Sequence, residues 1–459
     1  MKIIVVGCGK VGTTLAEQLN KENHDIVLID KNPNVIQTIS ERIDVMGVVG
    51  NGAVNKVQME AGIEDTDLMI ATTNSDELNM LCCLIAKKAG NCHTIARIRN
   101  PEYDSQIRYI REELGLSLAI NPEMAAAMEI SRLLRFPSAI KIDTFAKGRI
   151  EILKFLVPSN SVLDQMMVRD VLTKMNCNVL ICAIEHGNKV IIPSGDTIMA
   201  SGDKISFIAS PVESSQFFKQ VGIDNNIINT VMLIGGGKIT YYVAKLLENT
   251  KIKVKILEQK LERCNELSDL LPRAMIIHGD ASHQELLLQE GIGRTDAFAS
   301  LTGFDEENIM LTLYAASQSK AKLITKVNRI AFEDVIDSMN LGSIIYPKLI
   351  TAETILQYVR AMQNSMGSNV ETLYKIVADR AEALEFRVVN EPCITGIPLE
   401  KLELKNNLLV AYINRNGRII SPRGKDTIEE GDRVIVVTTV TGLNDLKDIL
   451  KSSKRESYE

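Results

Sequence analysis

Residues 2–12 read KIIVVGCGKVG. Lys2 to Val6 is a short, β-branched apolar run, the composition of a strand buried on both faces of a parallel sheet. Gly7, Cys8, Gly9, Lys10, Val11 and Gly12 form a GxGxxG turn, and TTLAEQLNKE has helical character. Each glycine answers a different need. Gly7 permits the tight turn, Gly9 lets the backbone approach a pyrophosphate, and Gly12 lets the helix pack close to the strand. The helix N-terminus would offer free N–H groups and a partial positive charge to phosphates. HDIVLID is a second strand, and it ends at Asp30, followed by Lys31. A carboxylate there can hold two ribose hydroxyls and repels a 2′-phosphate. Strand, turn, helix, strand and acid together read as a dinucleotide site rather than as glycines kept for packing.

The alternation continues. VMGVVGN is a third strand reaching Gly50, Asn51 and then Gly52; LMIATTN is a fourth, ending at Thr72, Thr73 and Asn74. DELNMLCCLIAKKAG is a helix, TIARIR a fifth strand and LAIN a sixth. Ligands of open α/β sheets bind at the carboxyl ends of strands, where strand order reverses. Gly50, Asn51, Thr72, Thr73 and Arg97 are therefore in reach of the ligand. Arg97 reads either as a charge for the phosphates or as a solvated strand-end arginine. Cys82 and Cys83 lie in an apolar helix and read as packing.

After Pro137 the texture changes to short strands and turns, as in SAIKIDTFAKGRIEILKFLVP and DKISFIAS, which read as a small α+β unit. Then the scheme starts again. Gly235 stands opposite Gly7, and Glu258 opposite Asp30, both at an offset of 228. Gly279, Asp305, Asn308 and Lys326 stand opposite Gly50, Asp76, Asn79 and Arg97, each at an offset of 229. PRGKDTIEEGDRVIVVTT repeats PSGDTIMASGDKISFIAS. The expected class is α/β: two Rossmann-like doubly wound parallel sheets, each followed by a small α+β subdomain. The boundaries read as 1–137, 138–225, 226–365 and 366–459. The second turn places Gly235, Gly237, Lys238 and Ile239 at the phosphates, with Glu258, Gly279, Asp280 and Ala281 around the cleft. Its third glycine is replaced by Thr240, whose branched side chain is expected to hinder the helix–strand approach. Binding by this second copy and a purely structural role remain alternatives.

Composition narrows the function. The 459 residues carry a net charge of −6, against the basic footprint of a nucleic-acid binder. No apolar run approaches the ~18 residues that span a bilayer, so no membrane insertion is expected. Residue 1 leads into a strand, so no signal peptide is expected. The eight cysteines show no zinc spacing and read as reduced thiols of a cytosolic protein. The two halves share no histidine, and no Ser/His/Asp set, HExxH or P-loop is present. A nicotinamide oxidoreductase needs a positioned acid or base, so a non-enzymatic binding protein is favoured. An NAD-dependent oxidoreductase, or a nucleotide-binding regulator of another target, is the alternative. The tail KSSKRESYE reads as frayed.

The run GCGKVG…LID…GNG…ATTNSDELN…ARIRN resembles RCK, or KTN, domains, the nucleotide-binding regulatory domains of potassium channels and transporters. The small units resemble the RCK C-terminal subdomain with its Gly-Asp turn. The tandem order is similar to the peripheral subunits of Trk potassium uptake systems. The resemblance implies a cytoplasmic subunit on the inner face of the cell membrane, assembled as a tetrameric ring under a TrkH-type potassium-transporting protein. It implies binding of NAD(H), with ATP or ADP as further ligands, and gating of potassium flux. It places Gly7, Gly9, Gly12, Asp30, Asn51, Thr72, Thr73 and Arg97 around the nucleotide.

Overall fold

The computed structural model describes the chain except residues 146–149, 160, 176, 188, 223–227, 329–334, 337–338, 340, 365–369, 378–380, 390, 441–442, 444 and 452–459. The boundaries read at 225/226 and 365/366, and all of the tail after Lys451, fall outside the described residues.

The chain folds into two compact units, and each is drawn from both halves of the sequence. The first comprises Met1–Ser131 and Asn229–Leu356, the second Arg132–Ile228 and the chain from Gln357 onward. The first sheet of the first unit contains β1 (Lys2–Val6), β2 (Asp25–Asp30), β3 (Met46–Val49), β4 (Leu68–Ala71), β5 (His93–Arg97) and β6 (Leu118–Ile120). These are ordered 3-2-1-4-5-6, all in parallel. This is the doubly wound order with the switch point between β1 and β4. Ile3, Ile4 and Val5 are fully buried in the central strand, as a sheet covered on both faces requires.

The chain then enters the second unit and forms an antiparallel five-stranded sheet. It contains β7 (Lys141–Phe145), β8 (Ile150–Leu156), β9 (Leu180–His186), β10 (Lys189–Ile191) and β11 (Lys204–Ala209), ordered 10-9-11-8-7. Back in the first unit, the second parallel sheet repeats the first. It contains β12 (Thr230–Ile234), β13 (Lys253–Glu258), β14 (Met275–His278), β15 (Ala297–Ser300), β16 (Lys322–Lys326) and β17 (Ser343–Ile345), ordered 14-13-12-15-16-17. The expected pair of Rossmann-like sheets is therefore what the chain forms.

The last sheet belongs to the second unit and is again antiparallel. It contains β18 (Val370–Val377), β19 (Ala381–Arg387), β20 (Leu408–Arg415), β21 (Arg418–Ile420) and β22 (Arg433–Thr438), and reads 21-20-22-19-18 from the edge that matches β10. Ile150, Ile152, Cys182 and Ile208 share one buried cluster with Ala381, Ala383, Tyr412 and Ile435. Ala381, Ala383 and Ala411 give the second sheet small side chains in this cluster. The Gly-Asp turn is held alike in both. Buried Asp203 accepts from Ala200 N–H at 2.8 Å and contacts His186 at 2.6 Å. Buried Asp432 accepts from Glu429 N–H at 2.8 Å and from Arg415 at 2.9 and 3.0 Å. Among the described residues no helix is long and apolar enough to cross a membrane.

Candidate functional site

The carboxyl ends of β1, β2, β4 and β5 converge on the first glycine turn. Gly7 has φ +86°, a left-handed conformation that glycine adopts without strain. A Cβ there would stand 2.8 Å from the Thr73 backbone, and one on Gly12 only 2.1 Å from the Gly7 carbonyl oxygen. Gly9 is different: nothing lies within 4 Å of where its Cβ would be. It is the N-cap of the helix Lys10–Lys21, with no side chain bonding the exposed N–H groups. Gly7 and Gly12 are closely packed, and the face at Gly9 is left open. Free N–H groups, a helix dipole and no competing side chain make an anion-binding end.

Asp30 flanks it. Its Oδ2 accepts from Cys8 N–H at 2.7 Å and its Oδ1 from Asn32 N–H at 2.9 Å. Each carboxylate oxygen has a second lone pair, so ribose hydroxyls can still donate to it. Cys8 is buried, and burial followed by the Asp30 charge pushes its thiol up to about 12. Val11 is buried, while Lys10 and Lys31 stay exposed at the rim. Gly50 N–H is bonded to Asp30 O at 2.8 Å, and Asn51 Oδ1 accepts from Ala53 N–H at 3.2 Å, which shapes the β3 end. Gly52 instead packs beneath the site: a Cβ would stand 2.3 Å from Val6. Thr72 Oγ1 donates to Gly7 O at 3.0 Å and so braces the turn rather than facing a ligand. Thr73 is half-buried beside it, and Asn74 is exposed.

Of the two sequence readings of Arg97, the solvated strand-end arginine is not what the structure shows. Arg97 is only 9% exposed and donates to the Thr73 carbonyl, with its Nε buried and unpaired. Burial, then neighbouring Arg99, holds its guanidinium below the usual value. β5 lies between β4 and β6, and the side chain reaches the turn that follows β4. Missing from the sequence reading was the role of Asn79. Fully buried, its Oδ1 accepts from Thr73 N–H and Oγ1–H at 2.7 Å each. Its Nδ2 donates to Thr73 O at 3.2 Å and Arg97 O at 2.9 Å. One amide thus ties the β4 and β5 tips together. The repeat at Asn308 was the available signal. Asn308 makes the same bonds to Thr302 N–H, Thr302 O and Lys326 O at 2.8, 3.3 and 3.0 Å.

The second cleft keeps the backbone and exchanges side chains. Gly237 caps the helix Lys238–Leu247 with φ −69° and ψ −177°, against −70° and −168° at Gly9, again with no side-chain bond. Ile239 is buried behind it, as Val11 is in the first turn. Thr240 does not force the helix away. It is fully buried, and its hydroxyl donates to the Gly235 carbonyl. Leu301 stands where the first half has Thr72, each strand-end N–H bonding the central strand alike. The bracing hydroxyl has moved from the strand end to the helix, and a leucine stands at the strand end in its place. The expected obstruction is therefore relieved by a compensating exchange.

Glu258 is accommodated in the same way. Its oxygens accept from Gly236 N–H at 2.6 Å and Lys260 N–H at 2.8 Å, as those of Asp30 do one module earlier. A Cβ on residue 236 would stand 2.7 Å from Leu267 Cδ1 and 3.0 Å from Glu258 Oε2, so glycine leaves room for both side chains where the first turn has Cys8. Gly279 N–H bonds Glu258 O at 2.9 Å, and Ala281 is buried in the core. Asp280 takes the place of Asn51. Bonds from Ser282, first its backbone N–H, hold its carboxyl below the usual range, so this cleft carries an extra negative charge. Lys326, in the place of Arg97, donates to Leu301 O at 3.1 Å, and burial lowers its ammonium. The two Rossmann domains also touch: Asn121 Nδ2 donates to Tyr242 Oη at 2.8 Å. Among the described residues no cluster of side chains could hold a metal ion.

The duplication and the twice-built cleft match known proteins along the whole length. The TrkA-N domain family matches residues 3–122 and 231–347, and the TrkA-C domain family matches 152–222 and 383–451. The chain belongs to the TrkA family. The Trk system potassium uptake protein TrkA of Haemophilus influenzae is 33% identical, over 99% of this chain and 98% of that protein. A TrkA homolog of Archaeoglobus fulgidus is 31% identical, over 98% and 100%. Among solved structures, the GsuK RCK domain superimposes with a TM-score of 0.63 at 17% identity, covering 95% of this chain and 92% of that one. The GsuK channel bound to NAD gives 0.61 at 17% identity, covering 95% and 76%. These two likenesses establish the fold. Along this chain the matched domains alternate: TrkA-N, TrkA-C, TrkA-N, TrkA-C.

Proposed function

We propose that this chain is the nucleotide-sensing regulatory subunit of a potassium uptake system and catalyses no reaction itself. It binds NAD(H), and ATP or ADP, in the first Rossmann cleft. Gly7, Cys8, Gly9, Lys10, Val11 and Gly12 surround the phosphates, and Asp30 with Lys31 meets the ribose. Asn51, Thr73, Asn74 and Arg97 border the remaining cleft. The second cleft binds through Gly235, Gly237, Lys238, Glu258 and Asp280, and more weakly, because Asp280 adds charge of the phosphates' own sign. The target is a TrkH-type membrane protein, met by a tetrameric ring of this chain at the cytoplasmic face. Support for this reading comes chiefly from one observation. The Lys10–Lys21 helix presents an uncapped N-terminus beside a carboxylate whose free lone pairs suit ribose. The names of the relatives supply the potassium transport.

A ligand shifts the ring only by binding its states unequally. Couplings of about 1–3 kcal/mol per site are typical, and several sites on one ring add up to a switch. The test is titration of the full chain with NADH, NAD+, ATP and ADP, followed by potassium flux through a co-reconstituted TrkH-type protein. Saturable binding that alters flux is expected. Absence of saturation by any of the four removes the proposal, and hydride transfer from NADH would replace it with the oxidoreductase alternative.

A further inference from the structure

Both Rossmann sheets are parallel, so strands that carry their carboxyl ends to the clefts gather their amino ends on the opposite face. This base is built alike in the two domains, with its charges inverted. Asp25 opens β2 where Lys253 opens β13, each paired with the first residue of the central strand. Asp44 stands two residues before β3, and Arg273 two residues before β14. Asp65 ends the short turn Ile63–Asp65 before β4, and Arg294 ends the matching turn Ile292–Arg294 before β15. All six side chains are exposed, and none makes an ion pair among the described residues. Asp67 and Asp296, by contrast, keep their sign. Each accepts from the first N–H of its central strand, at 2.8 and 2.9 Å, so the fold itself uses that charge.

The basic base also carries a recess of about 190 Å³. Buried Leu247, Val254 and Leu271 form its floor, and exposed Lys251, Lys253 and Arg273 stand at its rim. The acid in its lining, Glu248, is already paired with Lys245 at 3.0 Å. Arg273 Nη1 donates to the Glu248 carbonyl at 2.6 Å, which holds the guanidinium in place and leaves its other donors. An apolar floor under a cationic rim suits an acidic side chain with an apolar neighbour. Asp44 and Met46, the latter 56% exposed, are such a pair on the first base.

We propose that the base of the first Rossmann domain of one copy docks on the base of the second Rossmann domain of another copy. Within one chain the two faces leave each other's charges unpaired, so the complement must come from a second chain. Two first-domain bases repel one another, as do two second-domain bases, and only the unlike pairing is favoured. The contact uses a different surface on each side. Such contacts run from copy to copy and close into rings where the rotation allows. The number of copies rests on the proposed ring; the contact itself does not.

The test is sedimentation of the full chain at about 0.1 M and 1 M salt. The screening length falls from about 10 Å to about 3 Å over this range, so association should weaken at least about tenfold. Asp25→Lys/Asp44→Lys/Asp65→Lys makes both bases positive. Lys253→Asp/Arg273→Asp/Arg294→Asp makes both negative. Each variant alone should stop at smaller assemblies than wild type, and an equimolar mixture of the two should restore the wild-type species. Unfolding temperatures check that both variants fold; should either fail, the wild-type salt series decides. Assembly indifferent to salt and to both reversals overturns the contact and leaves the ring standing. A wild-type chain that is monomeric at 0.1 M salt overturns both. Intact assembly of the second variant, with loss of binding to phosphatidylglycerol vesicles, gives the basic face to a lipid surface and overturns the contact as well.

Discussion

Transplanting the second turn's solution into the first tests whether Thr240 is compensated or merely tolerated. In Gly12→Thr alone, the new Cβ would stand 2.1 Å from the Gly7 carbonyl oxygen and 2.9 Å from Thr72 Oγ1. Neither atom can retreat easily, since the carbonyl belongs to the turn and Thr72 is 4% exposed. Overpacking of this kind costs about 1–3 kcal/mol. In Thr72→Leu alone, the buried Gly7 carbonyl loses its 3.0 Å side-chain donor, a cost of about 1–3 kcal/mol. The double variant Gly12→Thr/Thr72→Leu recreates the pair found at Thr240 and Leu301. There the hydroxyl returns to the turn carbonyl and the leucine is 3% exposed. The Cβ of Gly235 would clear the facing Thr302 Cα by 3.1 Å, against 2.8 Å between Gly7 and Thr73, so the turn is slightly more open where the exchange has occurred. A favourable coupling of about 0.5–3 kcal/mol between the two substitutions is expected. The assay is hydrogen exchange of peptides covering residues 2–21 in the full chain. Each single variant should exchange about 5- to 150-fold faster than wild type, and the double variant should recover part of both losses. A silent Gly12→Thr, or a double variant as fast as the two singles multiplied, would refute the reasoning.

Asp30→Ala removes a carboxylate that accepts from both Cys8 and Asn32 N–H groups, so NADH and ATP affinity should fall at least about tenfold in calorimetric titration. Unchanged affinity would remove Asp30 from the ribose. Asn79→Ala leaves the β4 and β5 tips untied, and a loss of about 2–4 kcal/mol is expected, read as a lower unfolding temperature. Asn308→Ala should do the same to the second module, and an effect in only one of them would show that the clamps are not equivalent. Arg97→Ala and Arg97→Leu should both weaken nucleotide binding; affinity equal to wild type in both would leave the buried guanidinium purely structural. Cys8 should resist thiol reagents in the native state. Its thiol is raised from 9.0 to about 12, so below that value it stays protonated, and the thiolate fraction near pH 8 is about 1000-fold lower than for an unperturbed thiol. Labelling at the free-thiol rate would contradict its burial.

The sequence by itself determined the parallel sheets, the glycine turns, the strand-end acids and the duplication. Those features are local or periodic. A β-branched run ending in GxGxxG specifies strand, turn and helix within one short stretch, and a fixed offset of 228 or 229 repeats it. Tertiary structure decided what depends on partners remote in the chain. Thr72 braces Gly7 across 65 residues, and Asn79 reaches Arg97 across 18. Only packing shows that a hydroxyl at Thr240 does the work of Thr72. Only packing shows that Gly236 makes room for Glu258, or that Arg97 turns inward and is buried. A motif read one position at a time records Thr240 as a lost glycine. The fold conserves the hydrogen bond to the turn carbonyl instead, because an unbraced buried carbonyl costs more than a change in which residue supplies the donor.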